Sequence, residues 1–348
     1  MRYWVILPLL LIACDNDKPK PTATPAASEK AKPEKKGPNL GLLGGAEDTP
    51  PSHGGSAAAA GSDGGTIAEG VVKVLNQGTE PRRELRYAFK NGETETFTYE
   101  LGTTISHEAG QSKRNAKDQK GPGLRFELTA TTTAVSADGT AMVEWSFEKV
   151  DVLSERGTSA NDVAGARETW EQLKGKIGKS VISPKGVTIA AEFGSKDPNA
   201  AQLLGLLRAN LTNIVVPLPT EPVGKAAKWQ YRHKPASREV ANLVQEETFV
   251  LSDLAETGGK VARQYDENAP AQEVEAAQMP GRKLLRIAKG VGASTSVFDL
   301  MKVVPKSEGS LTQDELIAEA TPDGKQTTIQ KETVKVTTKF TPATQKKK

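Results

Sequence analysis

The sequence predicts a mainly β protein, α+β in class, with curved antiparallel sheets in two similar lobes and two helices packed between or against them. Three observations carry this expectation. Apolar and polar residues alternate with a period of two through most of residues 84–341, the pattern of half-buried strands. Turn signatures separate the runs. Only two stretches switch to helical spacing, and both lie in the middle of the chain.

In chain order, Glu84–Lys90 (ELRYAFK) alternates and is followed by Asn91-Gly92, a strong hairpin signal, and then by Thr96–Leu101. Leu124–Leu128 runs on into the Thr-rich stretch 129–133. Asp138-Gly139 turns the chain into Ala141–Val150. Lys179–Ile182 and Val187–Phe193 are joined by Ser183-Pro184-Lys185-Gly186, with Pro and Gly placed for a tight turn. The second half repeats this grammar. Trp229–Arg232 opens it, Val244–Leu251 and Gly259–Tyr265 read as a pair, and Lys283–Ile287 and Ser294–Val303 follow. The glycine-rich stretch 290–295 between those two reads as a turn. Leu311–Ala320, a Pro322-Asp323-Gly324 turn and the long alternating run Gln326–Thr341 complete the series.

The first helix is expected over Asp162–Ile177, with Val163, Ala166, Trp170, Leu173 and Ile177 on one face and Asn161 or Asp162 as cap. The second is expected over Asp197–Ile214, started by Asp197-Pro198, with Leu203, Leu207, Leu211 and Ile214 in a stripe widened by Leu204 and Leu206. Their apolar faces would pack on a sheet. Between the helix stripe and the strand residues Leu85, Tyr87, Phe89, Phe97, Tyr99, Phe126 and Val143, an apolar ligand would sit if packing were incomplete. The candidate pocket is therefore Trp170, Leu203, Leu207, Leu211, Trp145 and Phe147. The bland reading is that these residues simply fill a core.

The start of the chain sets the compartment. Arg2 and the apolar run Val5–Ile12 have the form of a signal peptide and are too short to span a bilayer, which needs about 20 apolar residues. Leu11-Ile12-Ala13-Cys14 resembles the lipobox of bacterial lipoproteins. That resemblance implies cleavage between Ala13 and Cys14 and diacylglycerol on the Cys14 thiol, the only cysteine in the chain. The expected place is the bacterial cell envelope, membrane-anchored and facing the periplasm, with inner or outer membrane left open. Residues 14–66 are rich in Pro, Ala, Gly and Lys, carry no aromatic residue and read as a disordered tether. The expected division is thus signal peptide 1–13, tether 14–66, lobes 67–214 and 215–342, and a frayed tail 343–348. With Cys14 acylated, no disulfide and no cysteine metal site remains.

A family resemblance becomes visible at Val215-Val216-Pro217-Leu218-Pro219-Thr220-Glu221-Pro222-Val223-Gly224-Lys225-Ala226-Ala227-Lys228-Trp229. A proline-rich crossing, Pro-Val-Gly, a small residue and a strand-opening Trp resemble a family of bacterial lipoproteins with no known activity. Tyr87-Ala88-Phe89-Lys90-Asn91-Gly92-Glu93 and Ser183-Pro184-Lys185-Gly186-Val187 are similar to two further motifs of that family. The match spans most of 80–267 and implies no catalytic residues. The order strands, helices, strands is also similar in architecture to lipoprotein carriers whose curved sheet holds an acyl chain, and architecture does not imply function.

A search for chemistry finds little. His53 lies in the tether, His107 in a polar loop and His233 at a strand end, none at metal-ligand spacing. No GxSxG elbow or SxxK start is present. Asp151 and the acidic residues 246, 247 and 253 alternate with basic ones and read as solvated faces. A formal charge of +3 over 348 residues, with 46 basic and 43 acidic side chains interleaved, argues against nucleic acid. The expectation is a non-enzyme with no metal and no cofactor. Its partners are a membrane, through the anchor, and a lipid or an envelope protein. The function is then either a binding module for an apolar ligand or a structural interaction module of the envelope.

Overall fold

The computed structural model describes residues 70–109, 118–153, 160–194, 198–234, 243–275, 283–320 and 326–343. Ala13, Cys14, residues 15–69, the 322–324 turn and residues 344–348 lie outside them. The described chain is mainly antiparallel β. Its strands are β1 (Val71–Asn76), β2 (Thr94–Ala109), β3 (Gln119–Lys120), β4 (Gly123–Val135), β5 (Ala141–Leu153), β6 (Gly175–Ile182), β7 (Thr188–Phe193), β8 (Lys228–His233), β9 (Val244–Ala255), β10 (Gly258–Glu275), β11 (Lys283–Asp299), β12 (Lys306–Ala320) and β13 (Gln326–Pro342). The helices are α1 (Ala160–Glu171) and α2 (Pro198–Leu211). No helix among the described residues is long and apolar enough to cross a membrane.

One sheet contains all thirteen strands in the order β1-β8-β9-β10-β11-β12-β13-β2-β4-β5-β6-β7, with β3 pairing on β2. The strands before and after residue 215 are thus contiguous, joined where β13 pairs with β2 from Pro342↔Phe97 to Gln330↔Ala109. The path is open: β1 and β7 are its two end strands. The sheet is nevertheless coiled. β8 and β6 stand nine places apart in the order, about 43 Å in a flat sheet at ~4.8 Å per strand. Yet two adjacent residues link them, because Trp229 Nε1 of β8 donates to the Pro217 carbonyl at 2.9 Å and the Leu218 amide donates to Lys185 in the β6–β7 turn at 2.8 Å.

The hairpin turns at 136–140, 183–187, 256–257 and 300–305 share the lower end of this coil, and two irregular segments close it. Residues 77–83 pair with 223–227 through Thr79 N to Lys225 O (2.8 Å) and a reciprocal Arg83–Val223 pair (3.1 and 2.9 Å). Residues 84–90, expected as a strand, instead thread the lower end as an extended segment. The Tyr87 amide donates to the Pro184 carbonyl and the Ala88 amide to the Leu300 carbonyl, both at 2.8 Å. The alternation Leu85, Tyr87, Phe89 is real and all three are buried. Loop carbonyls, not a strand ladder, satisfy the backbone.

Two other expectations change. The first helix ends at Glu171, because Gly175 takes a positive φ of 105° and starts β6, which carries Ile177. Leu173 and Ile177 are still buried. The glycine-rich stretch 290–295 is not a turn: β11 runs unbroken through it and pairs continuously with β12. The space left by Gly292 is filled by a neighbour, since a Cβ there would lie 2.2 Å from the Tyr265 ring. Glycine inside a strand here marks a close approach.

Both helices pack on the β5–β7 side of the sheet, α1 against β5 and α2 against β7, and they touch each other. The core beneath them is aromatic. Phe97 meets Trp145 edge-on at 6.2 Å, Tyr99 stacks between Phe126 (5.6 Å) and Phe340 (4.6 Å), and Phe126 meets Trp170 of α1 at 4.8 Å. Each such side chain contributes about 1.5–3 kcal/mol by burial.

Candidate functional site

The structure brings together the residues of the expected apolar pocket. Trp145, Phe147, Trp170, Leu207 and Leu211 belong to one continuous cluster, each 0–4% exposed. The remaining member, Leu203, lies on α2, and its side chain is outside the described ones. The strand residues Leu85, Tyr87, Phe89, Phe97, Tyr99, Phe126 and Val143 belong to the same cluster. Polar atoms inside it are mostly matched: Trp145 Nε1 donates to Ser180 Oγ at 2.9 Å and Tyr87 Oη to the Val216 carbonyl at 3.2 Å. Burial holds both Tyr87 and Tyr99 phenols above the usual tyrosine range, and Tyr99 Oη is buried with no hydrogen-bond partner.

The chemically richer surface lies higher on the same inner face, where β10–β13 and β2 extend beyond this core. Register fixes which side chains share a row. One inner row reads Tyr231, Glu247, Tyr265, Gly292, Leu311, Val336, Thr103 from β8 to β2. The next row up reads His233, Gln245, Glu267, Gly290, Gln313, Val334, Ile105. The row above that carries Ala269, Ala288, Glu315, Glu332 and His107. Ionisable groups therefore face inward beside aliphatic ones.

Two sets of charges form on this face. In the first, Glu247 is 1% exposed and takes His233 Nε2 at 3.0 Å and the Arg263 guanidinium on the same oxygen. Burial pushes the Glu247 carboxyl up, but the Arg263 charge and the His233 contact outweigh it and hold the group below its usual range. Arg263 lies over the rings of Phe249 (5.8 Å) and Tyr265 (5.0 Å), and Tyr231 stacks on His233 at 4.6 Å. Glu267 stands beside this set and is pushed up to about 7 by burial. In the second, Arg286 grips Glu315 with two nitrogens, Nε at 2.6 Å and Nη2 at 2.9 Å. Glu332, 7% exposed, has His107 Nδ1 at 3.2 Å and is raised to about 7 by burial and by the charge of Glu315.

Of the acidic residues expected to be solvated, Glu246 and Asp253 are exposed, whereas Glu247 is buried. The signal was phase. Glu247 alternates in step with Phe249 and Leu251, His233 with Trp229 and Tyr231, Glu267 with Val261 and Tyr265, and Glu332 with Val334 and Val336. A charge in phase with an apolar stripe points to the inside of the coil.

A separate cleft of about 770 Å³ opens at the lower end, lined among others by Glu95, Lys260, Phe298, Asp299, Lys302 and Lys306. Its charges are largely engaged in holding the β11–β12 turn. Glu95 accepts the Val303 and Val304 amides at 2.7 and 3.2 Å, and Lys302 pairs with Glu93. Among the described residues no group of three or more His, Cys, Asp or Glu is placed to hold a metal ion.

The three motifs that carry the family resemblance converge at the lower closure. A Cβ on Gly224 would lie 1.8 Å from the Thr79 carbonyl oxygen, and one on Gly186 would lie 2.4 Å from that of Val216. Tyr87 bonds to Pro184 and Val216. These residues seal the fold.

No family model and no curated protein matches the chain. Among solved structures, OpdQ of Pseudomonas aeruginosa aligns over 74% of this chain and all of its own at 6% identity and a TM-score of 0.20. A superposition at that level is no basis for assigning a fold or a function.

Proposed function

We propose that this chain is a bacterial envelope lipoprotein, anchored through Cys14, whose coiled sheet is a non-catalytic binding module for a lipid-like molecule. The observation that supports the binding role is the inner face of β10–β13 and β2. There Leu311, Val334, Val336 and Ile105 lie among half-buried charges, a mixture suited to a ligand with both an apolar body and a polar head. The helix-side residues Trp170, Leu207 and Leu211, by contrast, are buried in the apolar cluster with no charge among them. Two acyl chains on Cys14 would give stable attachment where one would not.

The test is binding of a fluorescent fatty acid to the folded domain in two variants. Leu311→Trp crowds the long-strand face and is expected to weaken binding with little change in melting temperature. Leu207→Trp is expected to lower the melting temperature, by an overpacking penalty of about 1–3 kcal/mol. A Leu207→Trp variant that keeps its stability but loses binding would move the ligand to the helix side. Absence of binding by the parent chain would remove the reading. The anchor is tested separately: Cys14→Ser should release the protein from membranes washed in high salt.

A second reading, an envelope interaction module, has its own observation. Among the described residues β1 is an end strand that pairs only with β8, and Val71 and Leu75 on it are 72% and 44% exposed. An unpaired strand edge is a template for adding another strand.

A further inference from the structure

We infer that the inner face of β10–β13 takes a ligand bearing an ammonium group, with Glu267 as its first counter-ion and Glu332 as its second. This rests on the reading of that face as a binding surface. A ledger of charges carries the inference. Arg263 is matched by Glu247, and Arg286 is matched by Glu315 through a two-pronged contact. Glu267 is left over on the inner face, and Glu332 has His107 Nδ1 at 3.2 Å.

Glu267 is the more telling of the two. Among the described residues it makes no hydrogen bond and no ion pair. Its Oε2 lies over the backbone of Gly290, 2.9 Å from where a Cβ would stand, and Leu311 borders the same spot. On β11 the inward neighbours are Gly290 and Ala288, so nothing on that strand competes for its carboxylate. The groups that face it are Arg263 and Tyr265 of β10, Glu247 and Gln245 of β9, His233 of β8 and Gln313 of β12. The one arginine among them is already held by Glu247. A carboxylate withdrawn from water without a partner is costly, and a ligand cation would relieve it.

Other ligand charges fit less well. An anion would have to settle beside the unmatched Glu267 and beside Glu332, which already holds His107. A metal ion would find no group of three or more ligating side chains among the described residues. An ammonium needs only one carboxylate and neutral acceptors such as the Gln313 amide oxygen, which register places across Gly290. Burial raises both carboxyls to about 7, so binding a cation near that pH should expel protons.

The experiment is calorimetric titration of the full chain carrying Cys14→Ser, with four probes below their micelle concentrations. Dodecylamine, dodecanoate and dodecanol differ only in the head, and ethanolamine carries the amine without the chain. At pH 8 dodecylamine is expected to bind at least about tenfold more tightly than dodecanol or dodecanoate. Glu267→Gln should reduce dodecylamine to the level of dodecanol while the melting temperature holds or rises, and Glu332→Gln should produce a smaller loss. At pH 7, buffers of different ionisation heat should report proton release on dodecylamine binding by the parent and less by Glu267→Gln. Tight ethanolamine binding would identify a free amine, not a lipid headgroup, as the source of the cation. Dodecanol or dodecanoate binding as tightly as dodecylamine would overturn the ammonium while leaving an amphiphile site. A preference unchanged in both Gln variants would overturn the assignment to these residues. Failure of every alkyl probe would overturn the binding surface itself.

Discussion

The two ends of the coiled sheet solve opposite problems with the same strands. At the lower end, segments 77–93 and 212–227 cross between hairpin turns, and buried backbone and ring donors find acceptors there: Tyr87 with Val216, Trp229 with Pro217, Leu218 with Lys185. At the upper end the inner face keeps charges in rows, matched only in part. The first region is built for closure, where packing and satisfied polar groups decide stability. The second keeps groups whose protonation and pairing are unsettled, a state that folding alone would not favour. Within one sheet, fully matched and partly matched polar groups are therefore separated along the strand axis.

This contrast predicts a graded set of effects. The largest is at the closure. Gly224→Val should abolish cooperative folding, a loss of more than about 4 kcal/mol, because the Cβ would overlap the Thr79 carbonyl of fixed backbone. Soluble protein with a normal thermal transition would break the assignment of this segment as the seal. Next is Glu247→Ala on the upper face, which strands Arg263 and His233 in a buried site and should destabilise by about 3–5 kcal/mol. A loss under 1 kcal/mol in urea melts would mean that the pair is solvated.

Glu267→Gln should act in the other direction, and with pH. Its carboxyl is raised from 4.5 to about 7 in the folded state, so between those values the folded chain binds the proton more tightly than the unfolded chain does. Stability from this group is complete below about 4.5 and is lost as pH rises through about 7. The Gln variant should therefore be more stable than the parent at pH 8, by up to about 3 kcal/mol. It should also show a flatter decline from pH 5 to 8. Equal melting temperatures of parent and variant at pH 8 would place Glu267 in water. The smallest effect returns to the closure. Tyr87→Phe leaves the Val216 carbonyl unmatched and should cost about 1–2 kcal/mol by chemical denaturation, independent of pH.

Much of the fold was legible because strand alternation and turn chemistry are local. The Ser183–Gly186 turn forms as expected, with Gly186 at a φ of 77° and its amide bonded to the Ser183 carbonyl at 2.9 Å. Both helices appear where apolar spacing changes to three and four. Residues 84–90 were misleading because alternation reports two unlike environments on an extended chain, not a ladder partner. Glycines 290 and 292 were misleading for a related reason. Whether a glycine turns the chain or receives a side chain from the neighbouring strand depends on Glu267 at Gly290 and on Tyr265 at Gly292, both more than 20 residues away in sequence.

The sequence by itself therefore determined most of the secondary structure and the apolar core, since both follow from spacing and residue chemistry over a few neighbours. Only the tertiary structure decided that all strands share one coiled sheet, that three motifs meet at its closed end, and that Glu247, Glu267 and Glu332 face inward. Coiling brings the ends of the strand order together, and the inside of a coil is defined by residues far apart in the chain. Phase places a carboxylate on the same face as an apolar stripe, and the bend of the sheet decides that this face becomes the inside of the coil.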